Sequence, residues 1–258
     1  MINLALIGAN GKMGLAITTL IAQQPKLYNL KTAIVNNLSS VTPILKETAK
    51  HITQDITQIA NADVVIDFST PSSNMQTLHQ CLQDKIPLVI GTTGFNQDEH
   101  MQIKNASSKI PLLISPNMSL AVNMLFKLTE IAAKKLANFE TEIVEAHHRH
   151  KKDAPSGTAL ALGNIIANAR NIDFNQYATF TRHGITEKRT PNDIGFSVIR
   201  GGNINGSHDV LFLGDYETFT ISAEVTNRSS YANGTLAAAI FLAAQPIGLY
   251  NMLDILDL

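Results

Sequence analysis

The chain has a single cysteine, no tryptophan and almost no net charge. Cys81 cannot form an internal disulfide, which favours a reducing compartment. The formal net charge of −1 argues against a nucleic acid as the main partner. The most apolar late stretch, residues 236–244, is far too short to span a bilayer. We therefore predict a cytoplasmic enzyme or binding protein, with neither a nucleic acid nor a membrane as partner.

The chain begins with the pattern of a strand, a glycine-containing turn and a helix. An apolar run over residues 2–7 leads into Gly8, Gly11 and Gly14, after which apolar residues recur at helical spacing. Such glycines permit a tight turn, the approach of a pyrophosphate and close packing of the helix on the strand. The pattern predicts a dinucleotide-binding turn, although Asn10 occupies the position of the second glycine in the more common motif. A plain strand-to-helix turn is the alternative.

The determinant of cofactor choice is expected about 20 residues beyond that turn. The second predicted strand, residues 31–35, is followed by Asn36 and Asn37. The sequence therefore has neither an acidic residue for a ribose hydroxyl nor an arginine for a 2′-phosphate. Because the Asn36 amide can hydrogen-bond with either group, both NADH and NADPH remain open.

Strands and helices alternate along the first half of the chain. Buried-strand patterns at residues 63–68, 87–90 and 111–114 are separated by helical segments, the first of which is predicted to be capped by Ser72. This alternation predicts a Rossmann-like, doubly wound parallel sheet. Small polar turns follow two of these strands, at residues 91–93 and 115–118, and such turns bind cofactors at the sheet edge. They are also ordinary loop residues, which is the simpler interpretation.

The pattern changes near Ser119. A long helix and a second helix are followed by several strand-like segments rich in Thr, Phe and Ile, which predicts an α+β domain with a mixed sheet. A last helix over residues 231–243 is expected to return to the first domain. We thus predict one domain from residues 1–118 and 228–258 and a second from residues 119–227.

Residues 145–158 combine histidines, cations and a helix start. This stretch contains three of the eight histidines and three cations, and it ends in Ser156, Gly157 and Thr158. Cations, imidazoles and free N–H groups at a helix start favour a pocket for a small, multiply anionic molecule. Within it, Lys151 and His147 are an expected pair of proton-transfer groups.

Three other interpretations of the stretch are less favoured. A zinc site is disfavoured because His147, His148 and His150 are too close along the chain to converge on one metal. A nucleic-acid patch would need interleaved aromatic residues. A solvated loop leaves the position of the cations directly before the helix start unexplained. Cys81, on a predicted helix face, is expected to be a small buried hydrophobe.

The stretch resembles the signature of the 4-hydroxy-tetrahydrodipicolinate reductase family, formerly called dihydrodipicolinate reductase. Its residues run from Glu145 through His147, His148 and Lys151 to Thr158 and Ala159. The resemblance extends along nearly the whole chain. Further matching segments, in the order of the family, are residues 8–14, 67–69, 91–95, 116–119 and 231–234.

The resemblance implies a specific reaction. It is the NADH- or NADPH-dependent reduction of (2S,4S)-4-hydroxy-2,3,4,5-tetrahydrodipicolinate to 2,3,4,5-tetrahydrodipicolinate with loss of water, a step of lysine and diaminopimelate biosynthesis. The implied substrate is a small dicarboxylate. The resemblance also implies a cytoplasmic homotetramer in which the second domain, residues 119–227, binds the substrate and builds the subunit contacts.

Residue roles follow from the same resemblance, position by position. His147 and Lys151 take the catalytic positions, with Lys151 as the proton donor, and no metal is implied. The substrate contacts would be His148, Gly157 and Thr158. The cofactor contacts would be Gly8, Ala9, Asn10, Gly11, Lys12, Met13, Asn36, Gly91, Thr92, Thr93, Ser115, Pro116, Asn117 and Met118.

Two other functions remain compatible with the first half of the chain. A different two-domain nicotinamide dehydrogenase, such as one acting on an amino-acid semialdehyde, would not need the helix start at Gly157 and Thr158. A dinucleotide-sensing protein without turnover would not need the pair of Lys151 and His147. An absorbance assay of NADH or NADPH with freshly made substrate would separate the three.

Overall fold

The computed structural model describes residues 1–257, which divide into two compact units. Unit 1 comprises residues 1–120 and 228–257, and unit 2 comprises Ala121–Asn227. The last residue of the predicted range 228–258, Leu258, lies outside the described residues. Over residues 1–257, we find no helix whose length and apolar character would let it cross a membrane.

Unit 1 contains a seven-stranded, entirely parallel sheet with helices, which confirms the predicted Rossmann-like architecture. The strands are β1 (Ile2–Ile7), β2 (Tyr28–Ile34), β3 (His51–Thr53), β4 (Val64–Asp67), β5 (Leu88–Ile90), β6 (Pro111–Ile114) and β12 (Gly248–Tyr250). Their order across the sheet is β12-β6-β5-β4-β1-β2-β3. The helices are α1 (Lys12–Gln23), α2 (Pro43–Thr48), α3 (Pro71–Asp84), α4 (Gln97–Ala106), α8 (Ser229–Ala243) and α9 (Met252–Ile255).

Alternate residues of the central strands enter two different cores. Leu4 and Leu6 of β1 belong to a cluster that includes residues of α1 and α8. Ala5 and Ile7 of the same strand belong to a cluster that includes residues of α3 and α4. Because successive side chains point to opposite faces and both faces are covered, these strands are continuously apolar rather than alternating.

Several predicted element bounds in unit 1 are wrong. The strand β2 begins at Tyr28 rather than at residue 31. The helix α3 begins at Pro71, because the Thr70 side chain rather than that of Ser72 accepts the capping hydrogen bond from the backbone N–H of Ser73. The strand β12 is absent from the prediction because three residues are too few to show an alternating pattern.

The helix α8 lies very close to the turn that follows β6. A Cβ atom at Gly234 would lie only 1.8 Å from the backbone oxygen of Met118. Any larger residue at this position would therefore push the helix away from the turn at residues 115–118. This contact gives a packing reason for the glycine in the segment 231–234.

Unit 2 contains the predicted mixed sheet, with five strands in the order β11-β10-β7-β9-β8. The pairs β7–β10 and β10–β11 are antiparallel, whereas β7–β9 and β8–β9 are parallel. The strands are β7 (Glu140–His147), β8 (Ala178–Thr179), β9 (Ile194–Arg200), β10 (Ser207–Leu213) and β11 (Thr218–Glu224), and the helices are α5 (Leu120–Lys135), α6 (Gly157–Arg170) and α7 (Phe174–Tyr177).

One face of this second sheet packs on α5 and α6. Its core includes Ile143, Val210 and Phe212, which occupy alternate positions of β7 and β10. The opposite face carries partly buried or exposed side chains. Leu128 and Ile131 of α5 are 40% and 44% exposed, whereas Val122 and Leu125 of the same helix are each only 1% exposed.

Candidate functional site

The glycine turn of unit 1 has the close backbone contacts that its sequence predicts. Gly8 has a positive φ of 74°, and a Cβ atom on it would lie 2.6 Å from the backbone oxygen of Phe68. A Cβ atom on Gly14 would lie 2.4 Å from the backbone oxygen of Gly8. Side chains at these positions would open the turn and separate α1 from β1.

Some backbone N–H groups of the turn donate hydrogen bonds within the chain, whereas others lie at the start of α1. Gly8 and Ala9 both donate to the Ile34 carbonyl oxygen at 3.1 Å, and Gly11 donates to the Gly8 carbonyl oxygen at 2.9 Å. Gly11 is also the N-cap of α1 and has no side chain with which to cap it. The first turn of α1, which begins at Lys12 and Met13, is therefore the part of the loop that suits a phosphate.

A cleft of about 450 Å³ lies beside this turn, at the carboxyl ends of β1, β2 and β4. Four of the predicted cofactor contacts line it: Gly8, Asn10, Gly11 and Asn36. The Asn10 amide donates to the Asn36 side-chain oxygen at 3.1 Å and to Ser40 Oγ at 2.7 Å. The part of the cleft that lies near Asn10, Asn36 and Ser40 is thus polar but uncharged.

Seven further predicted cofactor contacts, residues 91–93 and 115–118, lie along the same sheet edge, after β5 and β6. Asp67, fully buried at the end of β4, joins two of the turns. Its Oδ1 accepts from the Ser69 N–H at 2.8 Å and from Thr92 Oγ1 at 3.2 Å. In the turn after β6, Ser115 Oγ donates to the Asn117 carbonyl oxygen at 2.8 Å. Asp67 thus organises these turns, a role that its place in the sequence did not predict.

In unit 2, β7 directs Glu145 and His147 towards the helix-covered face, where they are 1% and 8% exposed. Both nitrogens of the Arg200 fork donate to Glu145, with Nη2 2.7 Å from Oε1 and Nη1 2.8 Å from Oε2. Glu145 Oε1 also accepts from the Ser156 N–H at 3.0 Å. His147 Nδ1 lies 2.5 Å from Glu145 Oε2.

The surroundings of these two residues set their protonation. Burial by itself raises the pKa of Glu145, but hydrogen bonds from Arg200, His147 and Ser156 together lower the pKa below its usual value. Burial lowers the pKa of His147, and the nearby charges of Lys151 and Arg200 lower it further, against the opposing effect of Glu145. Glu145 is therefore a carboxylate and His147 a neutral imidazole at neutral pH.

A third buried group, His208, completes the cluster. It lies on β10 directly opposite Glu145 in the strand register. Its ring is edge-on to that of His147, with the centroids 5.1 Å apart, and its Nε2 lies 3.1 Å from Ser156 Oγ. Burial is the main cause that lowers the pKa of His208 to about 4.

His208 and Arg200 were not predicted from the sequence as parts of the site, and Glu145, although it begins the predicted stretch 145–158, was given no role there. A signal for His208 does exist, since it occupies an inward position of a strand whose other inward residues are Val210 and Phe212. Glu145, His147 and His208 have potential ligand atoms within 4.8 Å of one another, a grouping different from the three clustered histidines of residues 147–150. Both oxygens of Glu145, however, accept hydrogen bonds from Arg200, so a metal would have to displace that cation.

The loop after β7 carries Lys151 towards the same cluster. Lys151 Nζ is 2.9 Å from Asp153 Oδ2, and its charge is close enough to affect His147. His148, by contrast, uses its Nδ1 to accept a hydrogen bond from the His150 N–H at 3.2 Å. The loop thus brings the charge of one predicted catalytic residue within electrostatic range of the other.

The helix α6 begins beside the cluster. Ser156 is its N-cap, and the Ser156 hydroxyl oxygen accepts from the Ala159 N–H at 3.2 Å. Gly157 and Thr158, two of the predicted substrate contacts, are the first residues of the helix. A Cβ atom on Gly157 would meet no heavy atom of the described chain within 4 Å, so there is space for an anion at this helix start.

Family comparisons cover both units. The family described as dihydrodipicolinate reductase, N-terminus, matches residues 2–118, and the family described as dihydrodipicolinate reductase, C-terminus, matches residues 121–256. A relative from Burkholderia mallei (strain SAVP1), named 4-hydroxy-tetrahydrodipicolinate reductase, is 43% identical over 99% of this chain and 98% of its own. A relative of the same name from Nitrosomonas europaea is 40% identical over 100% of this chain and 98% of its own.

Solved structures share the fold. A dipicolinate-bound dihydrodipicolinate reductase from Paenisporosarcina sp. TG-14 superposes with a TM-score of 0.81 at 24% identity, covering 97% of each chain. An apo scyllo-inositol dehydrogenase from Lactobacillus casei superposes with a TM-score of 0.60 at 10% identity, covering 99% of this chain and 92% of the other.

Replacing His208 tests whether its burial links stability to pH. In the unfolded chain this imidazole has its ordinary pKa of 6.5, whereas in the folded chain its pKa is about 4. Between these values the unfolded state holds more protons, so acidification from pH 6.5 to 4 destabilises the fold, by about 3 kcal/mol from this group. We expect the free energy of unfolding of His208→Gln, measured by denaturant titration, to decrease less between pH 6.5 and 4 than that of the wild type. The exposed His51→Gln is the matched control, and equal slopes for His208→Gln and the wild type would contradict the account.

Proposed function

The chain belongs to the dihydrodipicolinate reductase family, and we propose that unit 1 binds its dinucleotide and unit 2 binds the ring that is reduced. The reaction is NAD(P)H-dependent reduction of (2S,4S)-4-hydroxy-2,3,4,5-tetrahydrodipicolinate to 2,3,4,5-tetrahydrodipicolinate, in lysine and diaminopimelate biosynthesis. It consumes one hydride and one proton and releases one water. The protein must therefore bind a substrate with two carboxylates and deliver a proton to it.

The residues of unit 1 fit a dinucleotide. The tight contact of Gly14 with Gly8 and the side-chain-free cap at Gly11 leave the start of α1 open to a pyrophosphate. Lys12 and Met13 would donate their backbone N–H groups there, and Ala9 would support the turn from the core. The turns at residues 91–93 and 115–118 would contact the remainder of the cofactor at the same sheet edge. When bound, the reduced nicotinamide supplies the hydride.

One observation carries the assignment of the substrate to unit 2. The carboxylate of Glu145 is hydrogen-bonded both to His147 and to the Ser156 N–H at the start of α6, and the charge of Lys151 acts on His147. An imidazole, an ammonium group and the free N–H groups of Gly157 and Thr158 thus lie together. This combination suits a dianionic ring that must also receive a proton.

The proposed roles follow from the chemistry of each group. The N–H groups of Gly157 and Thr158, with the Thr158 hydroxyl, bind one substrate carboxylate, and His148 contacts the other. Lys151 gives a proton from its ammonium group to the reduced ring and regains one from solvent. His147, neutral and fixed through Nδ1, is the hydrogen-bond acceptor beside the reacting atoms.

The uncharged residues near the end of β2 support the proposal that the protein can use both NADH and NADPH. Asn36, Asn10 and Ser40 form a connected group of uncharged side chains. Such a group offers hydrogen bonds to a ribose hydroxyl and does not repel a 2′-phosphate as a carboxylate would. We therefore propose that neither cofactor is excluded.

The open face of the sheet in unit 2 supports a homotetramer built by this unit. Val144, Ile199 and Leu211 are apolar residues on that face, and Ile199 is 51% exposed. We also propose that the protein is cytoplasmic, in agreement with its single, buried cysteine, for which burial raises the pKa of the thiol.

Light scattering tests the homotetramer. We expect a mass about four times that of the 28.0 kDa chain, and we expect Ile199→Asp to lower it because a carboxylate cannot be buried unpaired in an interface. Met101→Asp, at an exposed position of α4 in unit 1, is the control that should keep the wild-type mass. A single-chain mass for the wild type would rule the homotetramer out.

Replacing Lys151 tests the assignment of the proton donor. With freshly prepared substrate and NADH or NADPH followed by absorbance, Lys151→Ala should lower kcat about 10²- to 10⁴-fold, the usual loss when one placed acid is removed. Lys152→Ala removes a neighbouring, exposed cation and should keep nearly full turnover. Wild-type turnover in Lys151→Ala would show that another group supplies the proton.

Changing the charge at Asn36 tests the basis of cofactor use. Asn36→Asp places a carboxylate where the 2′-phosphate would lie, so kcat/KM for NADPH should fall by about tenfold or more relative to NADH. Asn36→Arg should shift the ratio in the opposite direction. Unchanged ratios in both variants would mean that the ribose binds away from Asn36.

A further inference from the structure

We propose that Glu145 is a positioning residue that fixes His147 in a single tautomer and holds it at a set distance from the start of α6. This inference rests on the roles proposed above for His147, Gly157 and Thr158. It adds a function for three residues to which the sequence assigned none, namely Glu145, Arg200 and Ser156.

The hydrogen between Glu145 and His147 belongs to the imidazole ring. An ionised carboxylate can only accept hydrogen bonds, and Glu145 receives two from Arg200 and one from Ser156. Its contact with His147 Nδ1 at 2.5 Å is therefore an N–H donated by the ring. In a neutral imidazole this leaves Nε2 as an unprotonated acceptor.

The other ring nitrogen of His147 faces a glycine. A Cβ atom at Gly206 would lie 3.1 Å from His147 Nε2. This distance is shorter than most contacts that Cβ atoms make in proteins. Glycine at this position therefore keeps that edge of the ring clear. A fixed tautomer can act on a ligand only if Nε2 is accessible to it. The absence of a side chain at Gly206 leaves Nε2 accessible.

Glu145 also connects His147 to the helix start. Oε2 of Glu145 holds His147, while Oε1 holds the backbone N–H of Ser156, the N-cap residue directly before Gly157 and Thr158. Arg200 binds both oxygens and also donates to the Asp153 carbonyl oxygen at 2.7 Å. A single buried ion pair thus sets the positions of the histidine, the loop and the carboxylate-binding helix start.

No other charged group around His147 can replace Glu145 in this role. The groups facing the ring are Lys151 from the loop, Arg200 from β9 and His208 from β10. Lys151 and Arg200 are cations without acceptor capacity. His208 makes no hydrogen bond to the His147 ring, since its Nε2 is engaged with Ser156 Oγ and its Nδ1 has no hydrogen-bond partner. Among the residues that the structure describes over 1–257, Glu145 is therefore the acceptor that orients His147.

Glu145→Gln is the direct test, because a carboxamide has the same shape but can donate its own N–H to Nδ1. We expect kcat to fall about 10²- to 10⁴-fold, as is typical when a catalytic histidine loses its orienting carboxylate, with a smaller change in KM. Nitrogen-15 solid-state NMR of sedimented protein labelled at histidine should show the Nδ1–H tautomer of His147 in the wild type. In Glu145→Gln this signal should change, and the spectrum of His147→Gln assigns it.

A second variant separates positioning from mere stability. Glu145→Gln leaves the Arg200 charge without its partner, which alone destabilises the fold. The double variant Glu145→Gln/Arg200→Gln removes both charges, so we expect it to recover thermal stability but not kcat. Recovery of both would mean that Glu145 serves only to neutralise Arg200, and would overturn the proposal. Glu140→Gln, at an exposed position of the same strand, should match the wild type in every measurement.

The outcomes also distinguish this inference from the proposed function. The tautomer is read in the free protein, without substrate or cofactor. An unchanged His147 signal in Glu145→Gln, or full turnover in that variant, overturns the positioning role. Full turnover in both His147→Gln and Lys151→Ala would instead show that the proposed catalytic roles are wrong, whatever the NMR spectra show.

Discussion

The arrangement of unit 2 depends on keeping one carboxylate ionised in the protein interior. Glu145 is 1% exposed, and an unpaired charge at such a depth would cost several kcal/mol. Arg200, Ser156 and His147 together satisfy both of its oxygens. Since these partners come from a neighbouring strand, a helix cap and the same strand, all three must be in place before the charge is tolerated. The same requirement gives the cluster a defined geometry.

Unit 1 uses a related arrangement at its own sheet edge. Asp67 is fully buried at the end of β4, where its Oδ1 receives hydrogen bonds from the Ser69 N–H and the Thr92 hydroxyl. In this case no arginine of the described chain is bound to the carboxylate, and the partners are neutral groups of two turns. A buried acid therefore organises polar groups in both units, and of the two acids Glu145 is the one paired with an arginine.

Much of the fold could be predicted because its signals are local. The alternation of β1, α1 and the later strands follows from apolar periodicity and turn residues, and the family motif at residues 145–158 is contiguous. The errors also have local causes. The strand β12 is three residues long, and the cap of α3 could be placed on either of two hydroxyl residues, Thr70 or Ser72, by sequence alone. The exposure of Leu128 and Ile131 shows that an apolar stripe does not reveal what it packs against.

By itself, the sequence determined the parallel sheet of unit 1, the mixed sheet of unit 2 and the glycine turn, and it predicted His147, Lys151 and the start of α6 as parts of a site. Each of these rests on neighbours within a few residues, for which backbone geometry and side-chain chemistry are sufficient. Only the tertiary structure decided the partners of these groups. Arg200 lies 55 residues from Glu145 and His208 lies 52 residues from Ser156, and both meet their partners through the register of β7 with β9 and β10. That register is set by the packing of the whole sheet on α5 and α6, which no single segment contains.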